Sequence, residues 1–390
     1  GLGVRGLQAD LISHNAALNA LASQHEWPRA LDLLGALSSR RLRADVISFG
    51  AAIRACAGAW EPALVLLNQL GHAANAVSYN GAITVLGDCS QWQRAFELFR
   101  LMEVGALQPT VVTYNAAITV CERAGEWQQA LAFLDALEAR PASGPSVDII
   151  TLNAALGALA RGRRWQEALW LLHTADARQL KPDVVSVSTT ISSCEREAWQ
   201  HALRLLGELD VWTLQANVIT YSAAISACEK VSQWPVALLL LGDLEARRMQ
   251  PNVVTLSAVV SACEKVARWR QAMMLLASFP SRLLQPNLVT YSAVSSACEK
   301  VAAWQQALVL LGDMGLQQMQ PDGMIASAVM GACVQTAAWE QALLFFAEIR
   351  GHLRPDSILL AFGASACEHG SLRQEAAVLL GRLSSETLSV

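Results

Sequence analysis

The 390-residue sequence has little charge, few aromatic side chains and no long hydrophobic run. Charged residues make up 16% of the chain and aromatic residues 6%, whereas 53% of the residues are apolar. This apolar fraction excludes intrinsic disorder, because so much apolar surface must be buried. The longest strongly apolar stretch extends from about Val236 to Leu241, and a membrane-spanning helix needs roughly 18 such residues. The composition therefore predicts many short apolar segments, buried along the whole length of the chain.

The chain also lacks the motifs of common enzymes and metal sites. It has no phosphate-binding loop, no paired-carboxylate constellation and no nucleophile–base arrangement, and the Cys-x-x-Cys spacing of zinc sites is absent. We therefore expect no catalysis, no cofactor and no metal. The net charge of −4 gives no overall basic signal for nucleic acid, so positive charge that binds RNA must be local.

A repeat of 35 residues organises the sequence. The segments that begin at Val218, Val253 and Leu288 each contain Thr at the third residue, Ser at the fifth and Cys-Glu-Lys at the end. This register divides the chain into eleven repeats: 11–45, 46–75, 76–110, 111–148, 149–183, 184–217, 218–252, 253–287, 288–322, 323–356 and 357–390. Residues 1–10 are expected to be the tail of a preceding repeat, in a chain that is a fragment or a processed product.

Each repeat predicts two helices. Residues are numbered by position from the first residue of the repeat; in the shorter repeats 46–75 and 184–217 the second helix is aligned on its Trp, and the last residue of every repeat is called position 35. Apolar residues at helical spacing indicate a first helix over about positions 2 to 13. A second helix begins near position 17, usually with Trp, and a Pro-Asp or Pro-Asn turn closes many repeats. Position 20 is Ala in all eleven repeats, which lets two helices approach closely. One repeat cannot bury its apolar faces alone, so we predict an all-α solenoid of stacked repeats.

The pattern Val-x-Thr-Tyr-Asn/Ser, then Ala-Leu, then Pro-Asp/Asn resembles the pentatricopeptide repeat family over essentially the whole chain. Val111-Val-Thr-Tyr-Asn115 is a close match to the start of that repeat. The Trp at position 17 and the Cys-Glu-Lys segment are similar to versions found in dinoflagellate algae. The tetratricopeptide repeat is disfavoured, because its small residue at position 8 and its aromatic residue at position 11 do not fit this pattern.

The resemblance implies a right-handed superhelix that binds single-stranded RNA, with one base per repeat. It implies a monomer that acts in RNA processing, stability or translation in a plastid or mitochondrion, without a membrane. A protein effector or a catalytic domain outside this chain is a further partner that the family allows. The alternative that the residues leave open is a helical scaffold that binds a protein or a peptide.

In the family, positions 5 and 35 read the base. In chain order these pairs are Asn15/Asp45, Gly50/Asn75, Asn80/Thr110, Asn115/Asp148, Asn153/Asp183, Ser188/Asn217, Ser222/Asn252, Ser257/Asn287, Ser292/Asp322 and Ser327/Asp356. Ionised Asp only accepts hydrogen bonds, whereas Asn both donates and accepts. Turn formation and helix capping would select the same residue types, so that interpretation stays open.

The family's pairing rules translate these pairs into an RNA. Asn with Asp corresponds to U, Ser with Asn to A, and Ser with Asp to G. With the RNA running 5′ to 3′ from the N-terminus, the expected sequence is 5′-U-N-Y-U-U-A-A-A-G-G-3′. Gly50 leaves the second base unread, and Ala361 leaves an eleventh contact without support.

The resemblance also assigns position 2 to the sandwiching of bases. These residues are Ile12, Ile47, Val77, Val112, Ile150, Val185, Ile219, Val254, Val289, Met324 and Ile358. Nearly all are β-branched and therefore have restricted rotamers. The competing interpretation is that they are core residues at the start of the first helix.

Position 13 supplies a candidate basic stripe for phosphates. It is occupied in six consecutive repeats by Arg123, Arg161, Arg196, Lys230, Lys265 and Lys300. A basic residue near a helix C-terminus also interacts favourably with the helix dipole, and both roles can hold together. Glu at position 12 is expected on another face or paired with a neighbouring repeat.

Cysteine and tryptophan are expected to be structural. Eight of the nine Cys fall at position 11, where they fit small buried hydrophobes in a reducing compartment. Ten of the twelve Trp fall at the start of a second helix. We expect these rings to pack between repeats and not to stack on bases.

Overall fold

A computed structural model describes residues 11–39, 44–105, 107–139, 147–175, 180–194, 198–336, 338–349 and 357–369. These residues form 21 α-helices and no β-strand. The chain divides into an N-terminal body, up to residue 194, and a C-terminal body from residue 195 onward. The boundary falls inside the repeat 184–217, between its two helices.

The helices alternate as the repeat predicts. The first helices are α1 (Leu11–Ser23), α3 (Val46–Ala55), α5 (Ala76–Asp88), α7 (Val111–Ala124), α9 (Ile149–Arg161), α11 (Val184–Ser193), α13 (Val218–Lys230), α15 (Val253–Lys265), α17 (Leu288–Lys300), α19 (Gly323–Gln335) and α21 (Ser357–His369). The second helices are α2 (Trp27–Ser39), α4 (Trp60–Leu70), α6 (Trp92–Val104), α8 (Trp127–Glu138), α10 (Trp165–His173), α12 (Trp199–Val211), α14 (Trp234–Ala246), α16 (Trp269–Ala277), α18 (Trp304–Leu316) and α20 (Trp339–Ile349).

Position 35 determines where the first helices begin. From α3 to α19, the residue at this position has extended backbone, and its side chain accepts a hydrogen bond from the N–H three residues later. Such a cap satisfies one of the N–H groups that a helix leaves without a partner. The side chains at position 35 are therefore N-caps in these helices, and this role is compatible with a second one.

A left-handed residue at position 15 separates the two helices of a repeat. Gly58 and Gly125 occupy it in two repeats, and non-glycine residues such as Ser232, Ala267 and Ala302 occupy it elsewhere with φ of 61°, 55° and 54°. A non-glycine residue in this conformation costs roughly 1–2 kcal/mol. The tight turn brings the second helix back against the first, and the packing of the two helices offsets the conformational cost of the left-handed residue.

Packing follows the solenoid pattern in each body. Each first helix contacts the first helix of the next repeat, and each second helix contacts the first helices of its own and the next repeat, in the N-terminal body from α1 to α11 and in the C-terminal body from α13 to α21. The Ala at position 20 is fully buried in all ten repeats where the structure describes it; Ala376 lies outside the described residues. The predicted all-α repeat solenoid is confirmed.

The cysteines and tryptophans take the structural places expected of them. The eight Cys at position 11 are buried, and burial raises the pKa of Cys263 and Cys298 to about 11 and that of Cys121 to about 12. All ten second helices begin with Trp. Arg164, from the next repeat, lies over the ring of Trp127 at 4.4 Å from its centroid, an arrangement that stabilises the stacking of repeats.

The described residues contain neither a candidate membrane span nor a candidate metal site. Among their helices, none has the length and apolar character needed to cross a membrane. Within the same ranges no group of three or more His, Cys, Asp or Glu side chains could hold a metal ion.

Candidate binding surface

The apolar side chains at position 2 point into solvent. All eleven are exposed, by between 54% at Ile358 and 77% at Ile12. Each is the second residue of its first helix, whereas the neighbouring side chains at positions 3 and 4 are mostly buried. The interpretation of position 2 as helix-start core is therefore wrong. An apolar side chain exposed at the same position in every repeat indicates a ligand-binding surface.

The structure brings positions 5 and 35 together wherever Asn precedes Asp. The carboxamide Nδ2 of Asn15 lies 3.3 Å from Asp45 Oδ1 and 3.5 Å from Asp45 Oδ2. Asn115 and Asp148 repeat the contact at 3.3 Å to both oxygens. The Nδ2 of Asn153 lies 3.3 and 3.5 Å from the oxygens of Asp183. The three pairs assigned to U therefore share one geometry.

These three aspartates are held in the ionised form. Burial raises the pKa of each carboxyl group, but hydrogen bonds from the backbone and hydroxyl of the residue three positions later, and from the Asn, outweigh it. The result is a lowered pKa for Asp45, Asp148 and Asp183. Each therefore presents a hydrogen-bond acceptor at neutral pH.

The pairs of Ser and Asn are joined through a third residue. Ser257 Oγ lies 2.7 Å from Thr290 Oγ1, and that hydroxyl donates to Asn287 Oδ1 at 2.8 Å. In the preceding repeat Thr255 Oγ1 likewise lies 2.6 Å from Ser222 Oγ and donates to Asn252 Oδ1 at 2.8 Å, but Ser222 Oγ also donates to Val218 O at 2.7 Å. The hydroxyl at position 3 of the following repeat therefore connects the two predicted base-reading residues.

Sequence reasoning missed this hydroxyl. It also occurs in the Asn–Asp sites, where Ser48 Oγ lies 2.6 Å from Asn15 Oδ1 and 2.8 Å from Asp45 Oδ1. Position 3 is Ser or Thr and fully buried in eight repeats, from Ser48 to Thr290. The recurring Thr of Val-x-Thr-Tyr was the available signal, but a buried hydroxyl beside a helix cap is ordinary. Its contact with the preceding repeat is visible in the structure alone.

The third repeat departs from this pattern and opens a cavity. Asn80 Oδ1 is buried without a hydrogen-bond partner, and the Thr110 hydroxyl lies against Thr113. A cavity of about 700 Å³ is lined by both predicted base-reading residues and by Val77 and Val112 from position 2. The structure thus joins the predicted base-reading residues of the third repeat with two position 2 side chains in one concave site.

Among the described residues, the other predicted base-reading side chains share no common contact. Asp322 Oδ1 accepts from the N–H of Ile325 at 2.9 Å, and Ser292 makes no hydrogen bond within the described part of the chain. Ser188 and Asn217 lie in different bodies. Ser327 Oγ donates to Met324 O at 3.0 Å. Two predicted site residues lie outside the described residues, Asp356 and Arg196.

The basic side chains at position 13 are paired with acidic ones from the preceding repeat. Lys265 Nζ lies 2.6 Å from Glu229 Oε1, and Lys300 Nζ lies 2.5 Å from Glu264 Oε1. In the N-terminal body Arg123 pairs with Asp88. Glu229 and Glu264, both at position 12, therefore pair with the following repeat, which is one of the two arrangements expected of this position.

Arg161 acts on the acidic residue of the repeat before it. Burial raises the pKa of Glu122, and the charge of Arg161 opposes that rise. Lys230 also has an interaction partner. Arg123, Lys265 and Lys300 thus form ion pairs with acidic side chains of the preceding repeat.

Comparisons with known proteins point to one repeat family. The model of the PPR repeat family matches residues 74–123, that of the PPR repeat matches 112–140, and that of the pentatricopeptide repeat domain matches 204–266 and 239–301. No curated protein sequence matches the chain.

Solved structures of one protein share the fold. Two crystal structures of the pentatricopeptide repeat protein PPR10 in complex with an 18-nt psaJ RNA element each have a TM-score of 0.73 at 16% identity, covering 99% of this chain. The crystal structure of the pentatricopeptide repeat protein PPR10 from maize has a TM-score of 0.62 at 18% identity. The chain spans 57–60% of the length of these structures. At this identity they show the fold alone.

Proposed function

Because the chain belongs to the pentatricopeptide repeat family, we propose that it binds single-stranded RNA sequence-selectively, one base per repeat. The observation that carries this proposal is the row of exposed apolar side chains at position 2. From α3 to α19 each lies beside a capped helix start, where polar groups from positions 5 and 35 are presented. Apolar wedges next to fixed hydrogen-bonding groups suit a base, which has apolar faces and a polar edge. The complex of PPR10 with an RNA element supports the same function.

The Asn–Asp geometry matches uracil. One N–H of Asn15 points to Asp45, which leaves the second N–H of Nδ2 as a donor for a carbonyl oxygen of the base. The ionised carboxylate accepts from N3–H. Cytosine has an acceptor at N3, so it would place two acceptors against each other. The first, fourth and fifth bases of the proposed RNA therefore favour U.

The proposed RNA is 5′-U-N-Y-U-U-A-A-A-G-G-3′. The chain binds it as part of RNA processing, stability or translation in a plastid or mitochondrion, as the family resemblance suggests. We assign it no catalytic step of its own. Position 13 contributes to phosphate binding from Arg123 onward.

The first experiment compares the proposed ten-nucleotide RNA with its complement by fluorescence anisotropy at two salt concentrations. We expect tighter binding of the proposed RNA at both, with both affinities lower at high salt. Equal affinity for the two RNAs, or binding of neither, would overturn base reading and leave a protein-binding scaffold as the better explanation.

A matched pair of variants tests the position 2 row. Val254→Ala with Val289→Ala removes the two exposed side chains that flank the eighth base, and Leu239→Ala removes an equally exposed apolar side chain from the second helix α14. Losing the contacts of two valines should weaken RNA binding by roughly tenfold. The Leu239 variant should bind as the wild type does, and an equal loss in both would contradict the assignment of this surface.

A further inference from the structure

The position 3 hydroxyl determines what the two residues beside it can offer to a base. In the eighth repeat Asn287 Oδ1 accepts from Thr290 N–H at 2.9 Å and from Thr290 Oγ1 at 2.8 Å. Both lone pairs of this carbonyl oxygen are therefore occupied. The amide group left for a ligand is Nδ2, which only donates.

The same hydroxyl also fixes the proton of the serine. Thr290 Oγ1 carries one hydrogen, and Asn287 Oδ1 can only accept, so that hydrogen belongs to their contact. The 2.7 Å contact between Ser257 and Thr290 then requires Ser257 to be the donor. Ser257 is consequently left with lone pairs, and it can offer a base an acceptor but no proton.

This arrangement matches adenine and opposes guanine. Adenine presents an acceptor at N1 and a donor at N6, which complement the Asn287 donor and the Ser257 acceptor. Guanine presents a donor at N1–H and an acceptor at O6, so both contacts would be mismatched. Without the hydroxyl, one lone pair of Asn287 and the proton of Ser257 would be released, and guanine could be accommodated.

The chain contains its own contrast one repeat later. Position 3 is there Ile325, which is fully buried and has no hydroxyl. Asp322 accepts from the backbone N–H of Ile325, and Ser292 keeps its proton free within the described residues. An acceptor beside a free donor is the complement of guanine, the base that the Ser–Asp pair was predicted to read.

We propose that the side chain at position 3 of the following repeat is a third specificity-determining residue, a positioning group that sets the hydrogen-bond polarity of the base-reading pair. This inference rests on the proposed function, because it concerns which base the same site accepts. Its members are buried, so they act through the pair and do not contact the base.

The test uses the full chain with Thr290→Val, which keeps the shape and removes the hydroxyl. Binding is measured to the ten-nucleotide RNA with A or with G as the eighth base. The ratio of the two affinities should fall by roughly tenfold or more relative to the wild type. Thr290→Ser restores the hydroxyl and should restore the ratio.

Val294→Ala is the matched control, since it removes buried side-chain atoms from the same helix α17 at a position that carries no hydroxyl and no base-reading role. It should leave the preferences at the eighth and ninth bases unchanged. Thr290 also belongs to the helix cap, so thermal unfolding is measured in parallel. If Thr290→Val is not folded, Thr255→Val is read at the seventh base. There it releases Asn252 Oδ1, whereas the Ser222 hydroxyl keeps its contact with Val218 O at 2.7 Å, so the same ratio should fall by a smaller factor.

The outcomes separate this inference from the proposed function. No base preference at the eighth position in the wild type would overturn RNA base reading itself. A wild-type preference for A that Thr290→Val leaves intact would overturn only the role of position 3. A fall in the ratio that Thr290→Ser does not reverse would also count against it, because the hydroxyl would then not be the cause.

Discussion

Asp183→Asn should change the base preference of one repeat while leaving the fold in place. The carboxylate of Asp183 accepts from Ser186 N–H at 2.8 Å, from the Ser186 hydroxyl at 3.0 Å and from Asn153. Asn can replace the first two contacts through Oδ1. The negative charge that receives N3–H of uracil is lost.

The loss of stability should be small, because Asn already occupies the N-cap of other first helices in this chain. Asn252 and Asn287 cap α15 and α17 with contacts of 2.8 and 2.9 Å to the N–H three residues later. Asn and Asp are about equally good at a helix N-cap. We expect the free energy of unfolding to change by less than about 1 kcal/mol.

The effect on specificity should be larger. A hydrogen bond to a charged group contributes roughly 1.5–3 kcal/mol, which corresponds to roughly tenfold to hundredfold in affinity. With the Oδ1 of the introduced carboxamide engaged by the helix cap, its NH2 group donates to the base, and N3 of cytosine accepts where N3–H of uracil does not. The ratio of affinities for U and C at the fifth base should therefore reverse in favour of C.

Competition anisotropy with two RNAs that differ only at the fifth base measures this ratio. Asp148→Asn serves as the positional control, because it should act on the fourth base and leave the fifth unchanged. An equal loss on both RNAs, with a lowered melting temperature, would show that Asp183 is only a cap. An unchanged ratio in a folded variant would refute the reading of the base by this carboxylate.

Three further predictions follow from other parts of the structure. Lys265→Ala with Lys300→Ala should weaken all RNAs alike and reduce the salt slope by about two, and an effect confined to one base would contradict phosphate binding. Ala302→Gly should raise the free energy of unfolding by about 0.5–1 kcal/mol in urea titrations, because it relieves a left-handed Ala; a decrease would contradict the strain. Gly50→Ser should create a preference for A at the second base, since a Cβ there meets nothing within 4 Å and Asn75 is its partner; continued indifference to that base would count against the pairing.

The sequence predicts the helices and the site positions well because both follow the period of the repeat. Ala at position 20 and Trp at position 17 indicate where the second helix begins and packs. The exposure of residues such as Val254 could not be predicted, since an apolar residue at a helix start also fits a core. It depends on how the next repeat stacks, which the pattern does not contain.

The ion pairs between repeats could not be predicted from the sequence either. The Cys-Glu-Lys segments place Glu229 and Lys265 in the sequence, but these residues are 36 positions apart and meet through stacking. The sequence alone leaves open whether Glu at position 12 lies on another face or pairs with a neighbouring repeat. The structure shows lysines whose acidic partners come from the preceding repeat, so salt should affect both the free protein and its complex with RNA.

The geometry implies that a base is read at the junction of two repeats and that specificity should be redesigned there. Ser257→Asn with Asn287→Asp would place Asn and Asp above Thr290, matching the site in which Thr151 contacts both Asn115 and Asp148. The eighth base preference should change fully from A to U.

The same change one repeat later should remain incomplete. Ser292→Asn creates an Asn–Asp pair with Asp322, but Ile325 supplies no hydroxyl to hold the carboxamide. Adding Ile325→Thr should complete the preference for U at the ninth base, in the same anisotropy assay. If Ser292→Asn alone discriminates U as strongly as the sites that combine Asn, Asp and a position 3 hydroxyl, two residues suffice to read a base. In that case the role assigned to the following repeat would be wrong.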